Sequence, residues 1–540
     1  MRQGKSKKAG AMGRRKFMKV AATTAATGSL AQLVSAQQKE PPTRPTDAQV
    51  PRPQSRPALP PLGNSEPPAM VFQAYHAGTG ALMEKLAREH GASGFDRAAL
   101  DVEPWTGDIP KSEEDIVFQP VYRLAALIKA RHISSSELTR VYLDRLKRLD
   151  PVLLCAVTIL EGPATEAAQQ ADAEIKSGKY CGPLHGIPWG LKDLFAVKGA
   201  PTTWGAKEFK DRTLDEDSEV YVRLRDAGAI LIAKLSTGRF AINDQWYRGR
   251  TNNPWNLKQG SSGSSAGVAS ATAAGCVAFG IGTETRGSIV SPTVRCGLTA
   301  LRPTYGRVSR HGGMVLAWSM DRAGPICRSS EDCALVFNVI HGLDEKDPST
   351  LTTPFKFDRK PDLSKFRIGF DNRAPKEFVD KLRELGADPK PIGPRPTTRG
   401  IDTLEPESTA AFDCFLSTGI VKDEDSPNGT PGSGRFTRGR TWTATDFIQA
   451  QRRRQILVQR MADLMKDFDM YVSGAGDVEL CSYTGNPAAV LPYTFREGNN
   501  AQPVCTSIIG NVFADDKILS VATAYQRATD WHLKRPKVEA

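Results

Sequence analysis

The sequence contains no CxxC pair, and its nine cysteines are scattered and odd in number. A thiol-redox motif and a closed disulfide framework are therefore not indicated; buried free thiols are the expectation. Its seven histidines are dispersed, none at metal-ligand spacing from a partner, so no metal is indicated. No internal repeat is present. The best apolar stretch, 266–283, is interrupted by Ser270, Thr272, Gly275 and Thr283, so it does not read as a membrane span. What remains is an ordinary globular composition, 40% apolar and 24% charged, on 540 residues, long enough to bury a large core.

Acidic residues are missing altogether from positions 1–36, which carry eight basic ones: Arg2, Lys5, Lys7, Lys8, Arg14, Arg15, Lys16 and Lys19. Taking these eight from the net charge of +12 leaves +4, which gives the rest of the chain no leaning toward nucleic acid. Gly13-Arg14-Arg15-Lys16-Phe17-Met18-Lys19 precedes a weakly apolar, Ala- and Thr-rich run from Val20 to Val34. Val34-Ser35-Ala36 then offers small residues suited to cleavage before Gln37. This is the layout of a secretory signal, and the paired arginines point to the twin-arginine route, with a periplasmic or secreted product. Cargo of that route folds before export, so a reduced core is no contradiction.

Residues 37–70, dense in Pro and polar side chains between Pro41 and Pro68, read as a linker. Helical patterning starts near Ala81, with a short helix expected over Tyr122–Lys129. A capping box, Ser134-Ser135-Ser136-Glu137, opens a helix with Leu138, Val141, Tyr142, Leu146 and Leu149 on one face. From Gly182 to Asp332 the texture becomes short segments punctuated by Gly, Ser and Pro. Ile230-Leu231-Ile232 and Val277–Ile281 read as buried strands, and Ala266–Gly275 as a small-residue helix. Thr443–Phe468 is amphipathic, with Ile448, Leu457, Met461, Leu464, Met465 and Phe468 as its core stripe and Arg452-Arg453-Arg454 on a solvated face. Met470-Tyr471-Val472 supplies a further strand.

Three segments carry the chemistry: Gly182-Pro-Leu-His-Gly-Ile-Pro-Trp-Gly-Leu-Lys192-Asp193, Gln259-Gly-Ser-Ser-Gly-Ser264-Ser265-Ala-Gly267 and Gly282-Thr-Glu-Thr-Arg286-Gly287-Ser288-Ile289. The second lacks the Gly-Lys-Ser/Thr ending of a phosphate loop. It fits G-x-S-x-G with Ser265 central, but a nucleophile elbow needs a strand running into it, and Asn252-Asn253-Pro254-Trp255-Asn256 is turn chemistry. The third segment suits a nucleophile better: a strand ends, the chain turns sharply, and successive N–H groups form an anion-binding concavity beside Ser288. Its base is open at this point between a histidine and Lys192. Lys192 follows the apolar Ile187-Pro188-Trp189-Gly190-Leu191, where burial disfavours the ammonium.

These segments, in this order, resemble the amidase signature family, whose members carry GPLxGIPxxxKD, a Gly/Ser-rich loop and GT[DE]TxGSI. Leu301-Arg302-Pro303-Thr304-Tyr305-Gly306-Arg307-Val308-Ser309, and Ser319-Met320-Asp321 with Gly324-Pro325, continue the likeness. It runs from about Tyr122 to Cys333 and resumes more weakly over 443–535. The resemblance implies an α/β fold, a large mixed, mostly parallel twisted sheet covered by helices on both faces. It places a single catalytic domain over 71–540 with its signature core at about 182–333. It implies a catalytic set of Ser288 as nucleophile, Ser264 as bridging serine on a cis peptide, and Lys192 as base. The oxyanion hole would be the N–H groups of Thr285, Arg286, Gly287 and Ser288. The implied activity is hydrolysis of a small-molecule amide without a cofactor. The amidotransferase subunit that feeds ammonia to misacylated tRNA, a binding protein on the same scaffold, and an esterase are the alternatives; a homodimer is compatible with all of them. Arg286 and Val290 depart from the family's usual glycine and arginine, which leaves the substrate open.

Overall fold

The computed structural model describes residues 80–421, 435–475, 477–498 and 501–539. The signal (1–36) and linker (37–70) lie outside the described residues. Eleven strands form the central sheet: β1 (Ala156–Ile159), β2 (Pro188–Lys192), β3 (Ile230–Leu235), β4 (Phe279–Glu284), β5 (Thr299–Arg302), β6 (Arg322–Cys327), β7 (Ile368–Phe370), β8 (Lys390–Pro391), β9 (Met470–Gly474), β10 (Ala488–Arg496) and β11 (Gln502–Gly510). Their order is β1-β3-β2-β4-β6-β5-β10-β11-β9-β7-β8.

The sheet is mixed, but it is not mostly parallel. Six neighbouring pairs run antiparallel and four parallel. The short 497–501 connection forces β10 and β11 into an antiparallel hairpin, whereas a parallel pair needs a long crossover. Such crossovers exist around the centre, where β2 pairs parallel with both β3 and β4. Those strands are buried along almost their whole lengths and stack Trp189 on Phe279 with ring centroids 5.8 Å apart.

Helices cover the sheet in packed groups, Ala266–Ala273 with Val290–Cys296 and Ser330–Ile340 with Asp515–Arg527. The helix Ala266–Ala273 is buried on every side, and small residues on both partners make that possible. A Cβ on Gly280 would lie 2.7 Å from Val268 Cγ1, and one on Gly282 2.7 Å from Ser265 Oγ. Either would push the helix start off β4.

The helix over Ser135–Leu153 begins with the expected capping box and buries Leu138, Tyr142, Leu146 and Leu149. Two expectations for Thr443–Phe468 are corrected. In the helix Ala444–Met465, Ile448 is 46% exposed and outside the core, while Leu457, Met461 and Met465 are buried. Arg454, expected on a solvated face, is buried because it donates to the carbonyls of Tyr483 (2.8 Å) and Ser319 (2.7 Å) and to Ser319 Oγ (2.5 Å). All nine cysteines are free, and seven of them are buried. No helix among the described residues is long and apolar enough to cross a membrane.

Candidate active site

The three chemistry-bearing segments meet at the carboxyl ends of β2 and β4, neighbouring parallel strands at the centre of the sheet. Such ends are where α/β sheets place their ligands. Lys192 is the last residue of β2 and is fully buried. Its Nζ donates to Ser264 Oγ (2.8 Å), Thr283 Oγ1 (2.8 Å), Ser265 Oγ (3.1 Å) and Thr283 O (3.4 Å). No carboxylate is among these partners. Asp193, adjacent in sequence, turns to Lys234 instead, 2.8 Å from its ammonium, and accepts from Thr203 N (2.9 Å). Burial therefore pushes the Lys192 ammonium well below the usual lysine range, and the charges of Asp321 and Glu284 oppose that only in part.

Ser264 stands on a cis Gly263–Ser264 peptide. A Cβ on Gly263 would sit 1.9 Å from Asn243 O, so glycine is required where the loops cross. Ser265 is locked: its Oγ donates to Thr283 O and accepts from Thr283 N, both at 3.1 Å. Its N–H donates to Ser288 O at 3.1 Å, tying the Ser264 loop to the Ser288 turn.

That turn is clamped at both ends. The Glu284 carboxylate accepts from Ile289 N (2.8 Å) and Val290 N (2.9 Å), and Arg302 holds its other oxygen at 3.1 Å. On the other side Thr285 Oγ1 donates to Asp321 Oδ1 at 2.6 Å, while Asp321 Oδ2 accepts from Leu316 N (2.7 Å) and Ala317 N (2.9 Å). Between the clamps Gly287 has φ +94°, a left-handed conformation that favours glycine. No acceptor among the described residues takes the N–H groups of Thr285, Arg286, Gly287 or Ser288. Ser288 is half-buried, and its hydroxyl makes no hydrogen bond to Ser264 in this state; such links often close only with substrate in place. The Arg286 side chain is exposed and faces Tyr483, opposing the upward push that burial gives that phenol.

Several of these parts escape the sequence pattern. It presents Ser265 only as an elbow nucleophile, and Thr283 only as a break in an apolar run. The alternation Gly282-Thr283-Glu284 on a strand next to Lys192 is the available signal for Thr283. The structure also brings together Glu174, Cys181 and His185, whose ligating atoms lie within 4.8 Å of one another. His185 Nδ1 there accepts from Cys181 N at 3.1 Å, and Nε2 lies 3.3 Å from Glu174, so both ring nitrogens are engaged by the protein itself.

A buried, acid-free lysine bonded to Ser264 and Ser265, beside Ser288 on a turn of open N–H groups, is equipment for acyl transfer without histidine. The chain belongs to the amidase family, whose sequence profile, described as Amidase, matches residues 137–519; enzymes of this family act on carbon–nitrogen bonds. It is 32% identical over 481 residues to the A-type subunit of the glutamyl-tRNA(Gln) amidotransferase of Methylococcus capsulatus, covering 76% of this chain and 97% of the relative. Among solved structures it is similar to a native peptide amidase from Stenotrophomonas maltophilia, with TM-score 0.69 and 26% identity over 77% of this chain and 98% of that one. An amidase family protein from Bacillus anthracis gives TM-score 0.67 and 26% identity, over 79% and 94%.

Proposed function

We propose that this enzyme is an exported hydrolytic amidase in which Ser288 is the nucleophile and Ser264 and Lys192 relay its proton. The observation that carries the reading is the buried Lys192 Nζ, 2.8 Å from Ser264 Oγ and without a carboxylate partner. A neutral amine there takes the Ser264 proton as Ser264 takes that of Ser288, whose Oγ attacks the amide carbonyl. The tetrahedral oxyanion forms against the N–H groups of Thr285–Ser288, a donor of which is worth about 3 kcal/mol. The relay returns the proton to the leaving nitrogen, the C–N bond breaks, and water clears the acyl-enzyme by the same route. The basic leader with Arg14-Arg15 supports export, tested by N-terminal sequencing of exported material, where a start at Gln37 is expected and a start at Met1 overturns it.

Ser288→Ala and Lys192→Ala variants that fold but hydrolyse simple amides as fast as the wild type overturn the assignment. So does a fluorophosphonate that labels Ser265 and leaves Ser288 untouched. The 32% identity to an amidotransferase component favours a second reading, an amidotransferase A-type subunit. The isolated chain decides between them: turnover of simple amides with no other protein present supports the hydrolase.

A further inference from the structure

The turn that carries Ser288 departs from the family pattern at two positions, and together the departures move a positive charge. Position 290, usually arginine, holds Val290, which is buried beside Val490 and Cys505 and gives its N–H to Glu284 at 2.9 Å. Position 286, usually glycine, holds Arg286, whose side chain is exposed. The turn is therefore apolar at its buried end and cationic on the side open to solvent.

That cation is not used by the protein itself. Among the described residues no carboxylate lies within ion-pair distance of Arg286, and the two acids that clamp the turn are committed elsewhere. Glu284 is held by Arg302 at 3.1 Å, and Asp321 accepts from Thr285, Leu316 and Ala317. The neighbour that Arg286 does face is the Tyr483 phenol, a neutral group; Asp402 and Glu479 also bear on that phenol, but neither pairs with Arg286. Tyr483 belongs to the helix Val478–Thr484, which lies against the turn, so that a Cβ on Gly287 would sit 3.2 Å from Val478 Cγ1. The backbone N–H of Arg286 is one of the four open donors of the turn, two residues before the nucleophile. A carbonyl bound to those donors lies within reach of the same residue's guanidinium. A guanidinium presents two parallel N–H donors that match a carboxylate, and it is always charged.

We propose that Arg286 is a specificity-determining residue that pairs with a carboxylate of the substrate, and that the substrate is an amide carrying that negative charge a few bonds from the reacting carbonyl. The proposal rests on the hydrolytic reading given above. The reaction balances as the acyl C–N bond exchanged for C–O, with water consumed and a carboxylic acid and ammonia or an amine released. The carboxylate bound by Arg286 is unchanged.

The test compares kcat/KM of the full chain within two pairs of nearly isosteric amides. Succinamate and 4-oxopentanamide differ by a carboxylate on the acyl side; N-acetylglycine and N-isobutylacetamide differ by one on the amine side. In one pair the acid is expected to exceed its uncharged partner by about 10- to 100-fold, and that pair identifies the side of the carbonyl that Arg286 serves. Arg286→Gln, which keeps the backbone N–H, is expected to cut the ratio about tenfold or more, and Arg286→Lys to keep part of it. Arg286→Glu is expected to bring the ratio below one. Acids no faster than their uncharged partners in either pair, or a ratio that Arg286→Gln and Arg286→Glu leave unchanged, overturns the proposal. In either case a Ser288→Ala variant that has lost turnover leaves the hydrolytic reading standing. Turnover undiminished in Ser288→Ala overturns that reading itself.

Discussion

Two fully buried lysines stand one register step apart on neighbouring strands, and they are held in opposite ways. In the β2–β3 pairing Leu191 lies opposite Lys234 and Lys192 opposite Leu235. Paired residues share a face and consecutive residues alternate, so the two ammoniums leave the sheet on opposite sides. Asp193, one step past Lys192, falls on the Lys234 side and bonds it at 2.8 Å, with Thr202 Oγ1 and Pro201 O (both 3.1 Å) completing the set. Lys192 faces the start of the helix Ala266–Ala273, where Ser264, Ser265 and Thr283 offer hydroxyls and no charge. Burial lowers both lysines, but only Lys234 has a bonded carboxylate holding its proton in place. The lesson is that the pleat makes one Lys-Asp dipeptide serve both faces: the acid is committed to a structural pair so that the lysine on the other face is left basic.

The sharpest way to break this comparison is to remove each ammonium in turn. Lys192→Met is expected to lower kcat/KM for an amide about 10⁴-fold or more, with no loss in urea midpoint. Lys234→Met leaves the Asp193 carboxylate buried without its cation and is expected to lower stability by about 3–5 kcal/mol, while kcat/KM falls far less than in Lys192→Met. A stable but inactive Lys234→Met would reverse the two roles. Pairing Lys234→Met with Asp193→Asn removes the stranded charge and keeps an oxygen for Thr203. That double variant is expected to regain at least about 1 kcal/mol over Lys234→Met, measured by urea unfolding.

The pH dependence sharpens the same contrast. Protonated Lys192 cannot accept a proton, so kcat/KM is expected to rise with pH and level off well below the ordinary lysine pKa of about 10.4. Stability moves with the same sign. Between the depressed native value and the ordinary one, the unfolded chain binds the proton that native Lys192 has released, so ΔG of unfolding rises with pH there. The contribution is lost as pH falls through the native value. A kcat/KM profile still climbing at the ordinary lysine pKa would refute the depressed base.

Much of this is legible from residue order alone, because the site is built from contiguous motifs. The Lys192 strand, the Ser264 loop and the Ser288 turn are each a short unbroken run, and the fold only has to bring three pieces to two strand ends. Partner choice is not legible. Lys192 and Asp193 adjoin in sequence and could be read as a pair; only the pleat sends them apart. The antiparallel majority of strand pairs is hidden because it depends on which distant strand β5 and β6 meet, which no local pattern encodes. Arg454 reads as solvated because its neighbours are arginines, yet its guanidinium crosses to a loop 135 residues earlier. Long-range polar pairs leave no periodic trace in a single sequence.

The finest expected difference comes from the same change made beside each lysine. Thr283 Oγ1 accepts from Lys192 at 2.8 Å and Thr202 Oγ1 from Lys234 at 3.1 Å, so Thr→Val removes one neutral acceptor in each case at nearly constant shape. An acceptor favours the charged form, so Thr283→Val pushes Lys192 further toward the neutral amine. The rising limb of kcat/KM is expected to move to lower pH by up to about one unit. Thr202→Val weakens a pair whose proton is not in use. It is expected to cost about 1 kcal/mol of stability and to leave the limb where it was. If both substitutions moved only stability, Lys192 would be a second structural cation and the hydroxyls around it mere packing. If Thr283→Val alone moves the limb, that ring of hydroxyls sets the lysine's basicity, which is what a relay through Ser264 requires.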